Sequence, residues 1–240
     1  MGRRNTSLHI PQTMTEYDHA LVRGGRSSLP IVVGYLPVAM AFGTAGTAAG
    51  LEPVITTSIS ALIFAGASQF LILAALTSGA SVALVIALCT ALNARHLLYG
   101  SILAPRIPAR HRTHMLLAFG LTDEVFATAV SGSRHIGAEL RSRWLAGVTL
   151  GSYAAWVSGT AAGAFLGTAL ESLAPSVAEA MGFALPALFL AITVLNVSRN
   201  SVGPMMISAV IAGTAAWLDY TAAGILLGTG AGALTTWIRK

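Results

Sequence analysis

ASVALVIALCTALNARHLLYGSIL, residues 80–103, is the stretch whose reading decides the fold. A helix crossing roughly 30 Å of hydrocarbon needs about 20 mainly apolar residues, and this run has that length. Yet Asn93, Arg95 and His96 stand inside it. A guanidinium at membrane depth costs between about 2.5 and 17 kcal/mol, depending on the reference state. It persists only where it faces a wet cavity or a partner within the protein. The same segment therefore marks a membrane helix and a candidate pathway or site.

Further apolar runs lie on both sides, at 30–50, 54–77, 114–131, 144–167, 179–197, 203–218 and 220–237. The composition agrees, with 55% hydrophobic and 10% charged residues, more apolar surface than a soluble core of 240 residues can use. Runs of this length point to helices, which satisfy their own backbone hydrogen bonds in lipid. The expected fold is an all-α, polytopic integral membrane bundle of seven to eight transmembrane helices. Residues 1–28 read as a polar cytoplasmic tail without the apolar core of a signal peptide. Residues 29–240 read as the transmembrane transporter domain.

Basic residues in short loops orient such a bundle. With eight spans and the N-terminus inside, Arg3, Arg4, Arg23, Arg26, Arg134, Arg141, Arg143, Arg199, Arg239 and Lys240 fall on the inner side. Arg106, Arg110 and Arg112 fall outside. Dropping 114–131 as a span would fuse two basic loops on the outer side, so eight spans are preferred over seven. The net charge of +5 comes mainly from loops and tails and forms no basic stripe, so no nucleic-acid partner is expected. A single cysteine, Cys89, excludes an intrachain disulfide.

Three weaker patterns accompany these runs. Thr47-Ala48-Ala49-Gly50 recurs as Thr160–Gly163, Phe64-Ala65 with Phe70 as Phe183-Ala184 with Phe189, and Ser81-Val82 as Ser201-Val202, at offsets between 113 and 120 residues. An internal duplication and chance in an Ala- and Gly-rich chain both account for them. Gly46 with Gly50, Gly159 with Gly163 and Gly167, and Gly224 with Gly228 have the spacing that lets helix backbones approach closely. Pro37 and Pro186 lie within apolar runs and are read as helix breaks, with a static kink as the alternative.

The polar residues form three islands. On a continuous helix Asn93, Arg95, His96 and Tyr99 share one arc, with Gly100 leaving room beside them and Leu97 and Leu98 on the far side. Arg95 suits a carboxylate, either of a substrate or on another helix. His96 suits proton transfer near neutral pH. In the second island, Thr122-Asp123-Glu124, adjacent carboxylates point about 100° apart on a helix. Hence one of them pairs with Arg95 while the other titrates, or the helix breaks, or the segment frays into interfacial water. The third island is Ser68-Gln69, flanked by Phe64 and Phe70. Its amide either binds ligand polar atoms or bonds across helices. His111 and His114 read as solvated rather than metal-bound. No metal or other cofactor is expected.

Taken in order, Phe64-Ala-Gly-Ala-Ser-Gln-Phe70, Asn93-Ala-Arg-His-Leu-Leu-Tyr99 and Leu121-Thr-Asp-Glu-Val-Phe-Ala127 resemble the AzlC family of branched-chain amino-acid exporters. Pro30, Gly34-Tyr35-x-Pro37 and Ala41-Phe42-Gly43 fit that family's opening span. The resemblance runs from about Gly25 to Gly167 and more loosely through Phe183–Phe189. It departs mildly at Ala94, where a larger aliphatic residue is frequent, and at Gly100, where Ser is common, which bears on pocket size.

The resemblance implies a multi-pass protein of the plasma (inner) membrane that exports valine, leucine, isoleucine and sometimes methionine, driven by the proton motive force. It also implies a small hydrophobic partner subunit of the AzlD type; a homo-oligomer is compatible as well. The chemistry is consistent with a zwitterionic substrate. Arg95 would take its carboxylate, Asp123 or Glu124 its ammonium, with Gln69, Asn93, His96 and Tyr99 in the binding and coupling set. Phe64, Ser68 and Phe70 would line the apolar cradle. A pore-forming channel for small solutes is the alternative. A membrane-embedded hydrolase lacks both the G-x-S-x-G elbow and the H-E-x-x-H helix, so no enzyme is expected.

Overall fold

The computed structural model describes residues 14–176 and 199–238, with residues 179, 190, 194 and 197 between them. The elements among them are all helical. The chain divides into two units, residues 1–185 and 186–240.

The first unit is organised on α9, Arg141–Leu173, whose 33 residues extend about 50 Å at 1.5 Å per residue. α1 (Met14–Ser27), α2 (Leu29–Ala48) and α3 (Pro53–Leu62) all pack along it. The α2–α9 seam is the closest. A Cβ on Gly163 would stand 2.0 Å from the Met40 carbonyl oxygen, and one on Gly43 would stand 2.2 Å from that of Thr160. Only glycine fits at either position. Ser28 meets Gly151, Leu36 meets Gly159, Met40 meets Gly163 and Thr44 meets Gly167. Each pair has the same offset, so the two helices run in the same direction and in register.

That seam explains why Pro37 does not break α2, contrary to the sequence expectation. Helix continues through it from Leu29 to Ala48. The missing N–H costs one bond, but the contacts of Ser28 and Leu36 before it and of Met40 and Thr44 after it hold both halves to one partner helix. The other expected break, Pro186, lies outside the described residues, as does most of the 179–197 run.

The breaks occur elsewhere, at each polar island. The expected span 54–77 is divided into α3 and α4 (Gly66–Ser78), with Ile63, Phe64 and Ala65 out of helical conformation. The run 114–131 is divided into α7 (His111–Phe119) and α8 (Asp123–Gly132) by Gly120–Thr122. In 80–103, α5 (Val82–Asn93) passes into α6 (Arg95–Leu103) through Ala94. There the bonding tightens to three-residue spacing, Ala94 N–H to Ala91 at 3.4 Å and Leu97 N–H to Ala94 at 3.1 Å. Taken alone, α2 and the stretch 82–106 are long and apolar enough to cross a membrane.

One further expectation is corrected, at Gly50. Residues 14–27, within the stretch read as a polar tail, form α1, which buries Ala20 and lays Gly24 against the Trp144 carbonyl of α9. Its polar residues cover only one side of an amphipathic helix, which overall polarity does not reveal. Gly50 is no packing partner for Gly46. It has φ +87° and open space around it, and closes α2 in a left-handed turn. The repeated four-residue motif therefore ends one helix at 47–50 but lies mid-helix at 160–163. Likewise Ser81 caps α5, whereas Ser201 falls inside a helix of the second unit.

Among its described residues, that unit contains a hairpin of α10 (Arg199–Trp217) and α11 (Thr221–Ile238), which correspond to the runs 203–218 and 220–237. Gly224 and Gly228 do face α10, where a Cβ on Gly228 would meet the Ser208 carbonyl at 2.7 Å. The Ser208 hydroxyl donates back to the Gly228 carbonyl at 2.8 Å.

Candidate substrate site

The three helix breaks are joined by side chains. At the start of α6, Arg95 Nη1 lies 2.8 Å from Asp123 Oδ2 at the start of α8. One turn on, the Tyr99 hydroxyl donates to Asp123 Oδ1 at 2.6 Å, so both oxygens of one carboxylate are engaged. Side-chain exposure is 38% for Arg95 and 18% for Asp123, placing the pair at the edge of the packed interior. Arg95 Nε, by contrast, is buried without a hydrogen-bond partner. The guanidinium thus keeps one donor in reserve.

The adjacent carboxylate turns away, as the helical geometry requires. Glu124 Oε2 accepts from the Tyr35 hydroxyl of α2 at 2.5 Å, and that hydroxyl also lies 2.7 Å from Thr122 Oγ1. Thr122 caps α8 by accepting the Val125 N–H at 3.3 Å. Both acids stand in the first turn of α8, at the positive end of the helix dipole. Of the sequence alternatives, two hold together: Asp123 pairs with Arg95, and the helix breaks just before it.

Asn93 closes the α5 end by donating to Ser68 Oγ at 2.7 Å and to the Cys89 carbonyl at 2.9 Å. His96 Nδ1 is 3.0 Å from the Asn93 carbonyl, and its ring meets Tyr99 edge-on at 5.5 Å between centroids. Tyr99 stacks in turn on Phe126 at 4.2 Å. Asn93, Arg95, His96, Tyr99, Asp123 and Glu124 therefore form one linked neighbourhood with Tyr35.

Gln69 and its two phenylalanines are placed differently. Gln69 is fully buried. Its Oε1 accepts from Trp156 Nε1 at 3.0 Å and from the Ser60 hydroxyl at 3.3 Å, and its Nε2 donates to the Ile63 carbonyl. The indole can only donate, which fixes the orientation of the amide. It is a clamp on the non-helical Ile63–Ala65 segment. Phe64 presents its ring edge-on to Tyr35 at 6.3 Å and Tyr153 at 5.3 Å, and Phe70 does so to Phe42 at 5.4 Å. These rings are packed into the bundle. The open aliphatic cavity near the ion pair has a volume of about 280 Å³ and is lined instead by residues of α6, α7 and α9, with Ile107 and Leu121. Among the described residues no group of three His, Cys, Asp or Glu side chains is arranged to hold a metal.

Tyr35 and Trp156 are the residues that sequence reasoning did not assign. Their rings meet at 5.0 Å, and they join Glu124 to Gln69 across α2 and α9. The available signal was a phenol and an indole within apolar runs, since buried Tyr and Trp need partners for their polar ends.

Residues 30–170 match the sequence model of the family described as AzlC protein. This chain belongs to the AzlC family. It is 38% identical to "Inner membrane protein YgaZ" of Escherichia coli (strain K12) over 91% of this chain and 90% of the relative. An uncharacterized membrane protein of Archaeoglobus fulgidus is 38% identical over 86% of this chain and 90% of its own length. "Branched-chain amino acid transport protein AzlC" of Bacillus subtilis (strain 168) is 27% identical over 69% of this chain and 63% of the relative. No solved structure matches. The AzlC-family chain is thus a membrane protein of a transport-associated family, helical throughout the elements among its described residues.

Proposed function

We propose that this chain is the large subunit of a two-component secondary transporter that exports valine, leucine, isoleucine and methionine across the plasma membrane in exchange for protons. The observation that carries this reading is the Arg95–Asp123–Tyr99 network at the ends of two interrupted helices. Transporters commonly bind substrate where helices are interrupted within the bilayer. The name of the Bacillus subtilis relative supports the substrate class. The unit would span the membrane seven to eight times, beside a small hydrophobic AzlD-type subunit.

Arg95 and Asp123 neutralise each other across their 2.8 Å ion pair. A zwitterion offers both a replacement partner. Its carboxylate would take Arg95, using the unpartnered Nε, and its ammonium would take Asp123, so charge stays balanced as the internal pair opens. Glu124, held by Tyr35, stands one residue away as the group to take up a proton. Because opening the pair separates the starts of α6 and α8, substrate binding is linked mechanically to the helix breaks.

The test is transport of labelled valine by the full chain, co-reconstituted with its small partner in vesicles. Arg95→Ala and Asp123→Asn are expected to lower export at least tenfold at normal protein level. Wild-type export by both would remove the pair from the site. Stimulation by unlabelled valine preloaded on the far side separates this carrier from a channel, which shows none. Loss of concentrative transport on collapsing the pH gradient tests the coupling ion.

A further inference from the structure

We infer that the branched side chain of the substrate is held in the aliphatic cavity between α6, α7 and α9, with Gly100 setting the largest side chain admitted. This rests on the amino-acid transport reading and deepens it, since it moves the apolar half of the site away from Phe64 and Phe70.

The cavity, of about 280 Å³, has a floor of Leu103, Ile107, Leu117, Leu121 and Leu145, which are 2–8% exposed. Its rim carries the small residues Gly100, Ala104 and Ala118. The polar side chain in its lining is His114, whose Nε2 is engaged by the Ile107 carbonyl at 2.8 Å. A carbonyl only accepts, so that nitrogen carries the proton and the ring is pinned against the wall. Ligand sites are concave and mostly apolar, with a few placed polar groups. This open, aliphatic lining suits an apolar occupant.

Its position says which occupant. Gly100 directly follows Tyr99, and Leu121 precedes Asp123 by two residues, while Tyr99 and Asp123 are themselves hydrogen-bonded at 2.6 Å. The cavity and the ion pair are thus built from the same two chain segments. A molecule filling both must carry a compact aliphatic group beside a carboxylate and an ammonium. Leucine, isoleucine and valine have that form. A Cβ placed on Gly100 meets nothing within 4 Å, so the space beside it is open and a side chain there would project without strain.

This makes the test clean. Gly100→Ala and Gly100→Val fill the open space without a clash in the helix, and the alanine should be slightly the more stable helix former. Initial rates for leucine, valine and alanine are measured with the full chain in partner-containing vesicles, alongside thermal unfolding in detergent. A pocket differing by one methylene discriminates by about 10- to 200-fold. Gly100→Val is expected to lower kcat/KM for leucine at least tenfold more than for alanine, with Gly100→Ala intermediate and unfolding temperatures unchanged or raised. An unchanged leucine-to-alanine ratio in both variants, or equal loss for all substrates at normal stability, would overturn the assignment and leave a lipid chain or a partner helix as the occupant. If wild-type protein transports none of the three, the transport reading itself fails, an outcome distinct from an unaltered ratio.

Discussion

Truncating the Gln69 amide would leave the Trp156 N–H and the Ile63 carbonyl without their partner, deep in the bundle. A buried polar group left unsatisfied costs about 1–3 kcal/mol, although hydrogen bonds between membrane helices average only about 0.6 kcal/mol in direct measurements. Two stranded groups place the expected loss for Gln69→Leu near 2 kcal/mol. Trp156→Phe, which removes one bond and keeps much of the ring, should cost roughly half as much. Thermal or denaturant unfolding in detergent measures both. Leucine affinity in folded Gln69→Leu should match wild type; a folded variant with wild-type stability and lost affinity would return Gln69 to the substrate site. Arg95 was legible in the sequence because a cation in an apolar run is costly wherever it sits. Gln69 was visible but ambiguous, since the partner that decides its role lies on α9. Tyr35 was barely visible, because a tyrosine in a membrane span carries no such energetic signal until Glu124 is seen against it.

At the scale of elements, the α2–α9 seam is the strongest geometric constraint in the first unit. A single methyl on Gly163 would sit 2.0 Å from a backbone oxygen that no rotamer change can move. Gly163→Ala must therefore push the helices apart, and overpacking of this kind costs about 1–3 kcal/mol. Gly213 of α10 is the control, because a Cβ there meets nothing within 4 Å. Gly213→Ala should be neutral or stabilising by up to about 1 kcal/mol, the helix-propensity difference. Equal unfolding temperatures for the two variants would refute the seam. The glycine spacing in α9 was readable from sequence, and so were the apolar runs. Of the helix breaks, the one before Asp123 was among the sequence alternatives, and the other two were not. Proline is the visible breaker, yet helix continues through Pro37, while the chain leaves helical geometry at Ile63–Ala65. There Gly66 admits the Trp156 ring, which would lie 2.6 Å from a Cβ, and the Gln69 clamp satisfies the freed carbonyl. Such breaks depend on groups distant in sequence, and apolar periodicity does not register them.

For the whole molecule, the direction of α9 bears on how often the chain crosses the membrane. α2 and α9 run the same way, in register from Ser28–Gly151 to Thr44–Gly167. Two helices that cross in the same sense must be separated by an odd number of crossings. The candidates between them are α3 with α4, α5 with α6, and α7 with α8. Each of the last pair is too short alone, with 9 and 10 residues; end to end they reach about 29 Å, near the hydrocarbon thickness. Counting the interrupted α7–α8 segment as one full crossing gives three and fits the parallel seam; leaving it out gives two and would require α9 to run backwards. The loop at Arg110 should then lie outside and the loop at Arg134 inside, as in the eight-span reading with the N-terminus inside. In a Cys89→Ala background, Arg110→Cys should react with an impermeant maleimide added to intact cells. Arg134→Cys should react only after the membrane is opened. Labelling of both from the same side would mean that α7 and α8 enter and leave by one face, and the Arg95–Asp123 pair would then join a re-entrant segment to a span.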